Sequence, residues 1–211
     1  MSSDFITQLI ILAPPLLLGL TFHEFAHGYV AYRLGDPTAR TLGRLTLNPL
    51  KHLDPIGTIA FFFIKFGWAK PVPVNPRYFK NPTRDMLWVA LAGPLTNLGL
   101  AIVSALIAKM LWIIAAIIPH NSLTAGVLIP LNGMLIASVW INLVLCVFNF
   151  LPVPPLDGSR IMYGLLPPDL ARSYQKLEPY GFIIVLVLAF SGMLSKVIVP
   201  IISFANSMLL S

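Results

Sequence analysis

Residues 5–32 read FITQLIILAPPLLLGLTFHEFAHGYVAY, an apolar stretch whose second half carries His23-Glu24-Phe25-Ala26-His27. A helix of that length crosses the ~30 Å hydrocarbon core of a bilayer, even with a bend at Pro14 and Pro15. Helical residues four apart share a face, so the two imidazoles of this H-E-x-x-H pattern can reach one metal ion. Glu24 can then reach a water held there. The plain alternative is a pair of structural histidines beside a buried carboxylate. Ionisable groups inside a span are costly and mark function, which favours the metal. The stretch begins after Asp4 without a basic region, so it is expected to stay in the mature protein as a first span and not be removed as a signal peptide.

The rest of the chain has the same character. Of its 211 residues 57% are hydrophobic and only 10% charged, and the mean hydropathy is +0.82. A soluble domain carries about 25% charge, so the expectation is one membrane-embedded domain over 1–211, an all-α polytopic membrane protein. Further spans are expected at about 86–118, 131–151 and 181–208. The last of these is divided by Lys196 and Pro200, so it reads either as one tilted span or as a short span followed by an interfacial helix. The formal charge of +6 is read as loops facing the cytoplasm, not as nucleic-acid binding. Cys146, the single cysteine, is a packing residue and can form no intrachain disulfide.

Residues 33–85 form neither a span nor a plain loop. Ile56–Phe66 is apolar but too short to cross, which suggests a re-entrant or interfacial piece. Lys70–Asn75 is extended by its prolines and suits only a sheet edge, where it could pair with a substrate strand or serve as an ordinary loop. Nine basic residues lie in this segment, and Arg160, Arg172 and Lys176 follow the third span. The positive-inside bias therefore places 33–85 and 152–180 in the cytoplasm, with the N-terminus and the loop containing His120 outside.

A catalytic zinc needs a third protein ligand and an open position. His120 lies on the wrong side, and His52 and Asp54 are equally plausible as turn and surface residues. Asp157 follows Pro152-Val153-Pro154-Pro155-Leu156, a broken backbone tolerated at membrane depth only where it packs on protein or lines a wet cavity. His23 and His27 lie roughly 9 to 15 Å inside the cytoplasmic end of the first span, by the rise of a helix. Asp157 emerges at that same end of the third span, so it is the expected third ligand rather than a turn or N-cap residue. Asn97 in the second span needs a partner for its amide, either a substrate or oxyanion oxygen or another helix. Asn149 reads as a packing or kink contact.

The H-E-F-A-H pattern in a first span and Leu156-Asp157-Gly158 after a third resemble the site-2 protease family of intramembrane zinc metalloproteases, in its compact branch. The resemblance extends through Asn48-Pro49, Asp54-Pro55-Ile56-Gly57, Ala92-Gly93-Pro94-Leu95-Thr96-Asn97 and Phe148-Asn149. It implies a three-span catalytic core plus a C-terminal apolar helix, with a small membrane-associated β segment between spans one and two. It also implies one Zn2+ per chain on His23, His27 and Asp157, and Glu24 as general base. The implied reaction is hydrolysis of peptide bonds within or near transmembrane segments of membrane-protein substrates, from the cytoplasmic side of the plasma or inner membrane. The expected partners are a transmembrane protein substrate and the lipid bilayer, with no nucleic acid and no small-molecule cofactor. A PDZ module is not expected within this chain. The competing class is a zinc-binding membrane transporter or sensor, which would need ligands near the midplane reachable from both faces. An inactive relative is disfavoured because all four residues needed for the chemistry are present.

Overall fold

The computed structural model describes residues 2–64, 67–117 and 122–211. The helices among them are, in chain order, α1 (Ser2–Arg33), α2 (Thr38–Thr41), α3 (Pro55–Ile64), α4 (Pro82–Ile117), α5 (Ser122–Asn149), α6 (Asp157–Leu165), α7 (Pro168–Gln175), α8 (Gly181–Phe190) and α9 (Met193–Leu210). Four helical stretches are long and apolar enough to cross a membrane: Ile6–Arg33, Pro82–Ile117, Thr124–Asn149 and Met193–Leu210. Large apolar side chains such as Ile10, Ile102, Trp112, Ile129 and Phe204 stand exposed along them, a surface suited to lipid and not to water. The fold is that of an all-α polytopic membrane protein.

Helices in lipid gain little from apolar contact alone and associate through small residues that let backbones approach. α4 shows this along its length, burying Ala90, Gly93, Asn97, Ala101, Ser104 and Ala108 at intervals of three or four residues. That stripe seats α4 against both α1 and α5, and α6 also packs on α4. α9 leans on α5 and α4, closing an apolar cluster of Ala101, Ala105, Val139, Leu143, Ile198 and Ile202. The three long helices α1, α4 and α5 thus form the frame of the site, with α9 on its far side.

Several expected boundaries shift. The second span starts at Pro82, where a proline at the first helical position forfeits no bond. Asn81 and Asp85 cap this end reciprocally through the amides of Arg84 and Asn81. The third span starts at Ser122 and not near 131, because Pro130 is carried inside α5, as membrane helices allow. The last apolar segment breaks at Ser191–Gly192, with Gly192 in the left-handed region at φ 74°, while Lys196 and Pro200 lie within α9. The short apolar piece is the ten-residue helix α3, and Lys65, Phe66, Ile118, Pro119 and His120 lie outside the described residues.

The expected small β segment is corrected. Among the described residues of 33–85 the pairing amounts to one antiparallel bridge, Leu53 to Ala69, with the Lys70 amide donating to the His52 carbonyl at 2.8 Å. Pro71 and Pro73 have no N–H to continue a ladder. The segment is extended, but beyond that bridge its Val72 and Asn75 amides donate to the side chains of Glu24 and Asp36 instead of to a neighbouring strand.

Candidate metal centre

His23 and His27 lie one turn apart on α1, both buried, with their Nε2 atoms 3.0 Å from each other. Each Nε2 is 3.1 Å from Oδ2 of Asp157. What occupies the other side of each ring decides the chemistry. The Nδ1 of His27 is 2.7 Å from the carbonyl of Val89, and that of His23 is 2.6 Å from Oδ1 of Asn97. The Asn97 amide nitrogen donates to the Gly19 carbonyl at 3.1 Å and to Oδ1 of Asn142 at 2.8 Å, which orients its oxygen towards His23. With the rings neutral, both Nδ1 atoms carry the proton, and both Nε2 atoms present lone pairs.

Three potential ligand atoms thus converge, and Oδ2 of Asp157 is buried. A cation held between the three atoms would offset the repulsion of their lone pairs. Ligands of a tetrahedral ion with bonds of about 2.0 Å stand roughly 3.3 Å apart, close to the spacings found here. His23, His27 and Asp157 form a group able to hold a metal ion.

Local sequence explains how each ligand arrives. α4 approaches the histidines at Gly93, where a Cβ would collide with Nε2 of His27 and Cε1 of His23. Only glycine permits that approach, and it brings Val89 and Asn97, one turn to either side, within reach of the two rings. The chain leaves α5 through a tight turn in which Val153 donates to the Leu151 carbonyl and Leu156 to that of Val153. Asp157 then opens α6. Gly158 lies against the carbonyls of Phe150 and Leu151, so a side chain there would push the aspartate away. Tyr174 donates to the Pro152 carbonyl at 2.8 Å, and burial raises its phenol, which keeps the proton for this bond. Beside this turn opens a cavity of about 380 Å3, with Pro154, Pro155, Arg160 and Tyr163 in its walls. Its remaining walls come from Ser159 and from residues within 76–86 and 174–178.

Glu24, also buried, accepts the main-chain amide of Val72 at Oε2, 2.7 Å away. For Asn97 two readings were open, a substrate or oxyanion contact and an interhelical bond. Both its amide protons are committed within the bundle, so none is left for a substrate oxygen, and the interhelical reading is the one its geometry fits. Asn149 donates to Leu145 in its own helix. His52 donates to the Thr46 carbonyl at 2.8 Å and Asp54 caps α3 through the Gly57 amide, so both serve local structure. Three groups at the site escaped sequence reasoning. Asn142 carried a readable signal, an amide in an apolar span four residues from Ser138, to which it donates. The Val89 carbonyl and Val72 amide carried none, since every residue has such groups.

No family model matches the chain, and no solved structure matches it. Among curated proteins it is 43% identical over 197 residues to "Putative zinc metalloprotease YwhC" of Bacillus subtilis, covering 92% of this chain and 87% of that one. It is 32% identical over 185 residues to "Putative zinc metalloprotease Rip2" of Mycolicibacterium smegmatis, and 39% over 148 residues to "Putative zinc metalloprotease MJ0611" of Methanocaldococcus jannaschii. The alignments span 66% and 64% of those two longer relatives. Identity of 43% sustained across nearly the whole of both chains settles the relationship that the H-E-x-x-H span suggested: this chain belongs to the site-2 protease family of zinc metalloproteases.

Proposed function

We propose that this protein is an intramembrane zinc metalloprotease that hydrolyses peptide bonds within or near the transmembrane segments of other membrane proteins. The observation that carries the reading is the convergence of His23 Nε2, His27 Nε2 and Asp157 Oδ2 within 3.0–3.1 Å of one another. Its two nitrogens and one oxygen are a donor set that suits zinc. When bound, zinc supplies Lewis-acid activation of a water and of the scissile carbonyl.

The chain's own residues supply the rest. Asn97 and the Val89 carbonyl hold the two imidazoles in the ligating tautomer. Glu24, with Oε2 engaged by Val72, has Oε1 left to take a proton from the attacking water and to pass it to the nitrogen of the leaving amine. The broken backbone at 152–156 brings the chain out of regular helix beside Asp157, where water has to enter for the reaction. By the distribution of basic loops the site faces the cytoplasmic side of an inner or plasma membrane, so cleavage falls in the cytoplasmic half of the substrate span.

The test is a Glu24→Gln variant in detergent-purified protein. About one zinc per chain should remain, while cleavage of single-span membrane proteins, followed by new N-termini in co-reconstituted vesicles, should stop. Cleavage that persists in this variant overturns the assignment of the base. Zinc flux into sealed vesicles by the wild type would instead support a transporter.

A further inference from the structure

Asp36 is completely buried, lies beyond the end of α1 and plays no part in the metal centre. Its Oδ1 accepts the amide of Thr38 at 2.9 Å and the Thr38 hydroxyl at 2.5 Å, and its Oδ2 accepts the amide of Asn75 at 2.7 Å. The first two bonds form a local turn of a common kind. The third reaches across the sequence to the extended segment that touches Glu24.

The main-chain donors of that segment are few. Pro71, Pro73 and Pro76 have none. Lys70 donates to the His52 carbonyl, Val72 to Glu24 and Asn75 to Asp36. Arg44 holds the Lys70 carbonyl from outside at 2.8 Å, and the Val72 side chain is buried against α1 at Gly28. Two carboxylates borne by α1 and the turn that follows it therefore grip the segment at points three residues apart.

We propose that Asp36 is a positioning residue for Glu24. By fixing the Asn75 amide it holds the proline-stiffened segment so that the amide of Val72 engages Oε2 of Glu24, leaving Oε1 for the proton transfer assigned to it above. The stiffness is what transmits the effect: Pro73 restricts its own φ and the conformation of Val72 before it, so the anchor at 75 sets the direction of the amide at 72. This rests on the reading of Glu24 as the base, but the grip itself is measurable without any proteolysis.

The experiment uses the full chain, zinc-loaded, in lipid nanodiscs. Asp36→Asn keeps the size of the side chain but cannot accept on both sides at once, and Asp36→Ala is the second variant in case the amide rotates. Hydrogen exchange of a peptide covering 70–76 reports mainly on Val72, Val74 and Asn75, because the prolines are silent. Loss of a hydrogen bond to a charged group should speed exchange at both Val72 and Asn75 about tenfold. Glu24→Ala should release Val72 alone. Acetohydroxamate, a zinc chelator whose hydroxyl can donate to the base, probes the aim of Glu24 directly. Its affinity should fall about tenfold in the Asp36 variants with zinc content unchanged, and fall no further when Asp36 is changed in a Glu24→Gln background. Unchanged exchange at Val72 in both Asp36 variants overturns the proposal. So does a loss of hydroxamate affinity that adds in full to that of Glu24→Gln. If the grip is measured as expected while Glu24→Gln still cleaves substrate, the functional reading fails and the grip stands.

Discussion

α4 is packed in two different ways along its length. Over Val89 to Asn97 it meets α1 through a glycine, a carbonyl and an amide, each matched to one atom of an imidazole. Over Ala101 to Ala108 it meets α5 and α9 through methyl groups and aliphatic side chains, with Ser104 paired to Ser138. The first region specifies direction and the second only proximity. Apolar contacts tolerate small rotations because no contact point is unique, whereas a ring nitrogen held at 2.6–2.7 Å has one partner and one orientation. A membrane helix thus holds its precision in the few buried polar groups and the glycine that brings them together.

The comparison can be broken most severely at the ligand itself. Asp157→Ala should take zinc from about one per chain to near none, read by elemental mass spectrometry on purified protein, because two imidazoles alone leave the ion short of a ligand. Gly93→Ala should be next, weakening zinc about a hundredfold in chelator competition through collision with both rings. A similar exchange at Gly99, where an added Cβ meets nothing within 4 Å, should leave the affinity as it is. Asn97→Ala should weaken zinc by a smaller factor, roughly tenfold, by freeing the His23 tautomer, and a change of Asn142 made in that background should add little. The smallest effect on the metal belongs to the apolar region. Ile202→Ala should lower resistance to unfolding by about 2 kcal/mol while zinc affinity stays at the wild-type value. A fall in affinity from that variant would show that the two regions of α4 are mechanically coupled.

Much of the site was readable residue by residue. His23, Glu24 and His27 announced themselves because helical spacing converts four residues into one face. Asp157 was reachable because the distribution of lysines and arginines assigns loops to sides independently of any motif. The spans were visible as apolar length, although their ends were not: Pro130 stays within a helix whose neighbours and environment tolerate it, and Gly192, not Lys196 or Pro200, makes the break because its left-handed φ is what redirects the chain.

Other features had no signal to read. The segment at 70–75 has the composition of an edge strand, yet its amides are taken by Glu24 and Asp36, so the sheet it suggested is not formed among the described residues. Asn97 could equally have faced a substrate, and only the neighbours Gly19 and Asn142 committed its protons elsewhere. What could be read in residue order, then, is which side chains are proposed to carry the chemistry and on which helices, since periodicity, charge and polarity are properties of residues in order. The tertiary structure alone decided which main-chain groups orient those side chains. Every residue but proline offers the same amide and every residue the same carbonyl, and only the approach of one helix or segment to another selects the one that is used.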